Sequence, residues 1–527
     1  MRCVLGVDIG TSGARAVLLN SNGNIINSSN TTHGYNIIKT GWVEQDVDVY
    51  WESFCKITKD IMKQIENKQI ELSCICISGL GPTVIPINKL GDPLYPAILW
   101  LDSRAIEEEA WLKNNIGEEK IFNITKNVTS SYYGLVKILW LKNNKKDIYD
   151  KTYKFLNVKD YIVYKLTGKI ATDYSHASCT AVGFNMNNKK WDSNIFKAIG
   201  IDINKMPELN CSEKIIGGVS STVSKETYLK EGIPITVGIL DGVANLISAG
   251  VTEEGENVIS LGTSATWSVI STSNNYAKKM FNTVSADPDV CLTLSNVAFS
   301  GGIYKWLREN ILSKSSDDDY KIMDEEAKEI LPGSEGLITL PYFIGEKTPI
   351  WDPNAKGVMF GLSQKHKRGH MFRSSIEGVA FALLDNQNNM EEYNIKINKN
   401  VYVTGGGAKT KLVREILSSV LKKNVIYLEG NISAEVGDAY IAAKSIGMLS
   451  SYKNIKDNII IKDVISPNKE LNKFYNSIYR EIYQNIYPKL KNLFIKNNQI
   501  QESFRKQYLS SKKNGECFTI LNKEEIK

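Results

Sequence analysis

Several features that would place the chain in a familiar class are missing from its sequence. No apolar run approaches the about 18 residues that span a membrane, and we find no secretory segment at its start. The eight cysteines include no CxxC pair, which favours reduced thiols over a disulfide framework and predicts a cytoplasmic protein. A net charge of +6, spread over 527 residues, argues against a dedicated nucleic-acid binder.

The best-known nucleotide-binding motif is also absent, because no GxxxxGK[ST] loop occurs. What the chain does have is length and apolar content. Its 527 residues, 42% of them apolar, are enough to form two or three domains with real cores.

The opening stretch VLGVDIGTSGARAVLL (4–19) places a carboxylate in an apolar run, directly before a turn of small residues. Its pattern returns in ENVISLGTSATWSVI (256–270), where Gly262-Thr263-Ser264 stands 252 positions (262 minus 10) after Gly10-Thr11-Ser12. Apolar residues flank both turns with the alternation of β-strands. Each copy therefore predicts a strand, a tight turn and a second strand.

Paired Gly-Thr-Ser hairpins suit a polyphosphate. Glycine lets the backbone approach an anion closely, and exposed N–H groups and the Thr or Ser hydroxyl donate to phosphate oxygens. Asp8 precedes only the first turn, since Ser260 takes its place in the second. A carboxylate beside phosphate needs a cation between them, so Asp8 predicts Mg²⁺ held through water. The alternative is two ordinary hairpins in a duplicated fold.

A run of glycines marks the later part of the chain. VTGGGAKTKLVREIL (403–417) predicts a strand, a glycine turn and a helix, and it is not the GxGxxG turn of a dinucleotide-binding fold. Gly405, Gly406 and Gly407 stand before the helix, where bare backbone can pack on an adenine ring or approach a phosphate.

With these features the sequence resembles the FGGY family of carbohydrate kinases. GVMFGLSQKHKRGHMFRSSIE (357–377) fits the second signature of that family throughout. YYGLVKILWLKNN (132–144) is close to the first signature, with Gly134 where Pro, Ser or Thr is usual. Further matching stretches are GWVEQDVDVYW (41–51), AILWLDSRA (97–105), VKDYIVYKLTGKIATDYSHAS (158–178) and YFIGEKTPIWDPNAKG (342–357). The resemblance implies an α/β protein with two actin-like, ribonuclease-H-like lobes around a central ATP and sugar cleft.

The resemblance also implies a set of site residues. Asp241, in EGIPITVGILDGVANLISAG (231–250), is expected to be the general base that accepts the proton of the sugar hydroxyl. Its position at a helix start favours the charged form that a base requires, although an ordinary helix N-cap explains such a position too. Asp8 is expected to hold Mg²⁺. The residues expected to bind ATP are Thr11, Ser12, Arg15, Gly262, Thr263, Gly406, Gly407 and Lys411.

The sugar is expected beside LWLDSRA, where Trp100 offers an apolar face and Asp102 and Arg104 offer polar groups to hydroxyls. The alternative for that pair is a salt bridge in an ordinary loop. Xylulose and gluconate kinases have an MHG or MHS triplet where this chain has Gly81-Pro82-Thr83, and the Arg-Glu pair of glycerol kinases is absent there. GEKTP and LWLDSRA look closest to the xylulokinase-like branch, which implies a pentulose such as xylulose.

Other functions stay open on the sequence. The chain could act on gluconate, ribulose, erythritol or glycerol. An actin-like ATPase without a sugar substrate would share the hairpins, and a degenerate member would only sense sugar, although Asp8 and Asp241 disfavour that reading. The expected ligands are ATP, Mg²⁺ and a small sugar. We expect neither nucleic acid nor membrane as a partner, and a homodimer stays open.

The predicted organisation has two lobes and a carboxyl-terminal extension. Residues 1–246 are expected to form the lobe with the sugar and first phosphate turn, and residues 247–465 the ATP lobe. SPNKELNKFYNSIYREIYQNIYPKLKNLF (466–494) has aromatic and leucine residues at three- and four-residue spacing, which predicts a docked amphipathic helix over 466–498. Residues 499–527 are polar and lysine-rich, and we expect a loosely ordered tail.

Overall fold

The computed structural model describes residues 1–39, 41–66, 68–272, 275–311, 318–430 and 432–513. Two seven-stranded mixed sheets, one in each half of the chain, carry helices on their faces. This is the two-lobed α/β arrangement that the sequence predicts. Each of the two repeated turns joins two central strands of its own sheet.

The first sheet is built around the opening hairpin. Its strand Arg2–Ile9 pairs antiparallel with Gly13–Asn20 and parallel with Glu71–Gly79. Apolar residues run almost unbroken along this strand because helices cover both faces of the sheet. In lateral order the strands are Ile215–Gly218, Pro234–Thr236, Glu71–Gly79, Arg2–Ile9, Gly13–Asn20 and Ile25–Thr32, and Ile239–Leu240 also pairs with Glu71–Gly79.

The second sheet repeats this order of pairing. Asn257–Leu261 pairs antiparallel with Ala265–Ser271 across the second turn and parallel with Asn400–Thr404 on its other side. The shared topology confirms the internal repeat that the two turns predict. In lateral order the strands are Phe281–Val284, Cys291–Val297, Ala265–Ser271, Asn257–Leu261, Asn400–Thr404, Asn424–Glu429 and Ile460–Ile465.

Short strands form small additional sheets. They are Asn36–Lys39, Trp42–Gln45 and Ala97–Ile98; Ile85–Ile87 and Lys154–Leu156; Ala171–Asp173 and Glu208–Asn210; Phe184–Asn185 and Lys190–Trp191; and Ile338–Leu340 and Val358–Phe360.

Helices lie on and between the sheets. In the first half they are Asp48–Ile65, Ile106–Leu112, Glu118–Thr125, Gly134–Asn144, Lys146–Lys151, Val158–Thr167, Tyr174–Thr180, Ser193–Ile199, Ser221–Thr227 and Asp241–Ser248. In the second half they are Gly301–Asn310, Asp318–Lys328, Arg368–Glu392, Lys411–Leu421, Ala434–Ser445, Lys469–Ile478 and Gln484–Lys513. Within the described ranges, none of these helices has the length and hydrophobicity that crossing a bilayer requires.

One helix from late in the chain packs directly on the first sheet. A Cβ atom on Gly6 would lie 1.9 Å from the carbonyl oxygen of Glu435, at the start of the helix Ala434–Ser445. On the same helix, a Cβ atom on Gly437 would lie 1.9 Å from the carbonyl oxygen of Ala244. A side chain at Gly6 or Gly437 would clash with the facing backbone. The helix Ala434–Ser445 therefore packs against the first lobe with backbone directly on backbone.

The carboxyl-terminal aromatic residues pack on the body of the second lobe. Tyr475, Tyr479 and Tyr483 are buried, and each ring contacts Phe381 of the long helix Arg368–Glu392. Residues 499–513, for which we predict part of a loosely ordered tail, continue the helix Gln484–Lys513. Polar and lysine-rich sequence is compatible with an exposed helix, since lysine and glutamine are good helix formers. Residues 514–527 lie outside the described residues.

Candidate active site

Two carboxylates leave adjacent parts of the first sheet at the same edge. Ser78 of the central strand lies opposite Asp8 on one side and opposite Ile239 on the other, and both pairings are parallel. Asp241 follows two residues after Ile239 and begins the helix Asp241–Ser248. Parallel strands end at a common edge, so the register brings Asp8 and Asp241 to the same end of the sheet.

The first Gly-Thr-Ser turn presents donors beside Asp8. The N–H of Gly10 donates to the carbonyl oxygen of Gly13 across 2.9 Å and closes the turn. Thr11 is half-buried, whereas the side chains of Ser12 and Arg15 are exposed. Arg15 lies directly opposite Asp8 in the antiparallel register. This arrangement suits an anion, because hydroxyls and a guanidinium are available next to the turn backbone.

The start of the helix Gly301–Asn310 hydrogen-bonds to the second turn. The N–H of Gly262 donates to the carbonyl oxygen of Ser264 across 2.9 Å. The N–H groups of Gly301 and Gly302 donate to the carbonyls of Gly262 and Thr263, each across 3.0 Å. These bonds use the carbonyl groups of the turn. They leave Gly262 and Thr263 exposed on the other side, where they can contact a ligand.

The glycine segment offers open backbone. Gly405 has a φ of +88°, and a Cβ atom there would lie 2.6 Å from the carbonyl oxygen of Leu261. At Gly406 no atom lies within 4 Å of such a Cβ atom, so its face is free for a flat ligand. Gly407 approaches the Leu261 side chain. Lys411, at the start of the next helix, is exposed and lies 3.5 Å from Glu415.

The electrostatics of the two carboxylates differ. The pKa of Asp8 is raised to about 7, mainly by burial and then by the carboxylates of Asp241 and Glu435. The hydroxyl of Ser78, which donates to Asp8 Oδ1 across 3.1 Å, partly opposes this rise. The pKa of Asp241 is raised to about 6 by burial, while the Gly242 N–H, 2.6 Å from Oδ1, holds it lower. Asp241 is therefore ionised at neutral pH, as a proton acceptor must be.

Aromatic rings lie next to the first turn, where the indole N–H of Trp100 reaches the hydroxyl of Thr11. The rings of Trp100 and Tyr132 meet edge to face with centroids 6.4 Å apart. The ammonium of Lys347, from the second lobe, lies 4.2 Å from the Trp100 ring and 4.7 Å from the Tyr132 ring. Burial lowers the pKa of Lys347 to about 8. Apolar ring faces with a few polar groups are typical of sugar sites.

The structure does not support direct sugar contact by Asp102 and Arg104. Their side chains are fully buried and form an ion pair of 2.7 Å. Asp102 also accepts the Val43 N–H across 2.6 Å, and Arg104 lies 2.8 Å from Glu44. Because these polar groups are used inside the protein, the pair supports the loop that carries Trp100.

The chain matches known proteins over most of its length. Residues 3–248 match the model of the FGGY family of carbohydrate kinases, N-terminal domain, and residues 257–446 match that of the C-terminal domain. The chain belongs to this family. The xylulose kinase of Staphylococcus xylosus is 28% identical over 86% of this chain and 92% of its own length. The gluconokinase of Bacillus subtilis (strain 168) is 27% identical over 86% of this chain and 90% of its own.

Solved structures share the fold of this FGGY kinase. The xylulose kinase from Rhodospirillum rubrum superposes with a TM-score of 0.87 at 23% identity, covering 94% of this chain and 100% of that one. The implied two-lobed, actin-like fold and carbohydrate kinase activity are thereby confirmed.

FGGY kinases generally use ATP with Mg²⁺, and the residues around Asp8 fit such an ion. Burial and then the carboxylates of Asp241 and Glu435 raise the pKa of Asp8, so added positive charge there would favour its ionised form. Across the described ranges, no three His, Cys, Asp or Glu side chains converge as a metal cage. A site with few protein carboxylates suits Mg²⁺, which keeps several waters and binds substrate phosphates.

Three residues near Asp241 and Trp100 are not singled out by the sequence. Tyr132, His176 and Lys347 lie inside stretches that carry the family resemblance, but their own chemistry gives no separate signal there. Only the fold shows that residues far apart in the chain meet beside Asp241 and Trp100. For each of the three, the signal available in the sequence was a polar side chain within a stretch that matches the family.

Proposed function

We propose that this FGGY kinase uses ATP to phosphorylate a hydroxyl of a pentulose such as xylulose, with Asp241 as general base. The observation that carries the proposal is the position of Asp241. It stands at the carboxyl edge of the first sheet beside Asp8, and its pKa of about 6 keeps it ionised at neutral pH. An ionised carboxylate at this place can accept the proton of an attacking hydroxyl.

In the proposed reaction, the sugar oxygen forms a bond to the γ-phosphorus of ATP and its proton passes to a carboxylate oxygen of Asp241. The bond from that phosphorus to the β–γ bridging oxygen breaks, and ADP leaves. Thr11, Ser12 and Arg15 bind the transferred group from one side and Thr263 from the other. Positioning and charge stabilisation account for most of the rate in such transfers.

The remaining ATP contacts are assigned to the second lobe. Gly262, the first residue of the second turn, binds the phosphates beside Thr263. Gly406 and Gly407 offer open backbone to the adenosine, and Lys411 lies at the edge of the adenosine site. Asp8 would hold Mg²⁺, which when bound supplies positive charge that offsets the charge of the phosphates.

The choice of a pentulose rests on similarity and on the cleft together. Xylulose kinases are among the relatives of this chain, and the ring face of Trp100 beside Tyr132 suits the C–H bonds of a small sugar. Gluconate is the second candidate. The ammonium of Lys347 lies over both rings, where it could pair with the carboxylate of a sugar acid, and gluconokinases are also among the relatives.

The test is ADP release by the purified protein with Mg-ATP and a panel of acceptors. The panel contains D-xylulose, D-ribulose, D-gluconate, erythritol and glycerol, with a control that has no sugar. We expect the strongest stimulation with a pentulose. Preference for gluconate would replace the pentulose proposal, and ADP release that is independent of every acceptor would favour an ATPase.

A further inference from the structure

A buried imidazole lies beside the cleft at the helix Tyr174–Thr180. The side chains of His176 and Asp173 are both 0% exposed, and Nδ1 of His176 lies 2.9 Å from Oδ1 of Asp173. The ammonium of Lys159 lies 3.1 Å from the same Oδ1. Burial alone would raise the pKa of Asp173, yet Lys159 and His176 lower it overall. An ionised Asp173 accepts a proton-bearing Nδ1, so Nε2 is the ring nitrogen left for another partner.

That second nitrogen has no hydrogen-bond partner within the described part of the chain, although it is buried. A buried polar atom without a partner costs free energy, and such atoms are uncommon in folded proteins. The ring cannot simply turn to solve this, because Asp173 holds the other nitrogen. The geometry therefore points to a partner that arrives with the ligand.

The free nitrogen is aimed at the segment that borders the base. A Cβ atom on Gly81 would lie 3.5 Å from Nε2 of His176, so this nitrogen lies directly beside the backbone of that segment. Next to the ring, the hydroxyl of Ser175 accepts the N–H of Leu240 across 3.0 Å, immediately before Asp241. His176 is also close enough to Asp241 to lower the pKa of that carboxyl. One buried network thus supports both the imidazole and the base.

We propose that His176 is a specificity-determining residue of the sugar site, whose Nε2 accepts a hydrogen bond from a sugar hydroxyl next to the one that is phosphorylated. This inference rests on the proposed kinase function. It also gives a role to the departure at Gly81-Pro82-Thr83, where xylulose and gluconate kinases have a triplet with histidine. In this chain an imidazole approaches the same segment from the helix Tyr174–Thr180, and a glycine makes room for it.

The experiment compares two substitutions of His176 that separate its two nitrogens. His176→Asn keeps an amide near the position of Nδ1, within reach of Asp173, and removes the group at Nε2. His176→Gln can place an amide near the position of Nε2. Both variants and the wild type are tested with the best acceptor of the panel and with its derivatives that each lack one hydroxyl. Melting temperatures of all three proteins check the fold.

For the wild type, we expect loss of the contacted oxygen to lower kcat/KM about tenfold to a hundredfold. His176→Asn should lower kcat/KM for the full acceptor by a similar factor, with the KM for ATP unchanged. The same variant should then lose little more on the derivative without that oxygen, because the contact is already gone. His176→Gln should recover part of the loss.

A second substitution keeps the imidazole and blocks the approach to it. The added methyl group of Gly81→Ala would lie 3.5 Å from Nε2, and the nearest atom it meets is the movable Cδ1 of Leu240, 2.6 Å away. We expect the same selective loss for this variant. It also serves as the decisive test if His176→Asn does not fold.

Three results would overturn the inference, and the third is distinguishable from the other two. Equal losses on every derivative, or a His176→Asn variant with wild-type kcat/KM, would assign His176 a structural role only. The kinase proposal would survive that result. Absence of acceptor-dependent ADP release by the wild type would instead overturn the proposed function and this inference with it.

Discussion

The indole N–H of Trp100 donates a hydrogen bond to the hydroxyl oxygen of Thr11 across 3.0 Å. This bond joins the aromatic side of the cleft to the first phosphate turn. The Thr11 hydroxyl accepts from Trp100 and so keeps its own hydrogen for an outside acceptor, such as a phosphate oxygen. The position and the hydrogen bonding of the Thr11 hydroxyl therefore depend on Trp100.

We expect Trp100→Phe to lower kcat about two- to tenfold, because a neutral hydrogen bond contributes about 0.5–1.5 kcal/mol and the ring face is retained. Thr11→Val in the Trp100→Phe background should then cost less than Thr11→Val alone. Steady-state kinetics of the two single variants and the double variant measures this coupling. Losses that simply multiply would show that the two residues act independently.

Removing the proposed base gives the sharpest loss. Asp241→Asn keeps the shape of the side chain but cannot accept a proton, so kcat should fall about 10²- to 10⁴-fold. ATP affinity, measured by calorimetric titration, should stay within a few-fold of the wild type. Near-normal phosphorylation of sugar by this variant would exclude Asp241 as the base.

The pH dependence follows from the same residue. Asp241 accepts a proton only when ionised, and its folded pKa of about 6 lies above the ordinary value for aspartate. Below that pH the base is protonated, so kcat/KM for the sugar should fall about tenfold for each pH unit. Above that pH, kcat/KM should no longer depend on the ionisation of Asp241. Initial rates in buffers of constant ionic strength test this. A profile that is level down to pH 5 would be incompatible with it.

Two neighbouring glycines provide a matched pair of variants. A Cβ atom at Gly406 meets no other atom within 4 Å, so Gly406→Ala should keep the melting temperature while raising the KM for ATP several-fold. Gly405 has a φ of +88°, and the same change there places Cβ 2.6 Å from the Leu261 carbonyl oxygen. Gly405→Ala should therefore lower the melting temperature. Equal stability loss in both variants would argue against a free ligand face at Gly406.

Local features of the structure could be predicted from the sequence. The turns at Gly10-Thr11-Ser12 and Gly262-Thr263-Ser264 were predictable because turn chemistry and strand alternation are set by neighbours in the chain. The order of the other strands in the two sheets comes from the structure, since their partners lie far away in the chain.

Contacts between distant segments were out of reach for the same reason. The burial of Asp102 and Arg104 depends on Val43 and Glu44, and the free nitrogen of His176 depends on Gly81. Polarity alone does not tell whether a side chain faces a ligand or another part of the protein.

The helix Ala434–Ser445, which packs on the strand Arg2–Ile9, begins 425 residues (434 minus 9) after that strand ends. At a synthesis rate of about 5–20 residues per second, a nascent chain waits about 20–85 s before that helix leaves the ribosome. Until then Val4, Val17 and Cys76, which pack with this helix in one core, have no such cover. An amino-terminal lobe made alone would therefore expose apolar residues that this late helix covers in the full chain.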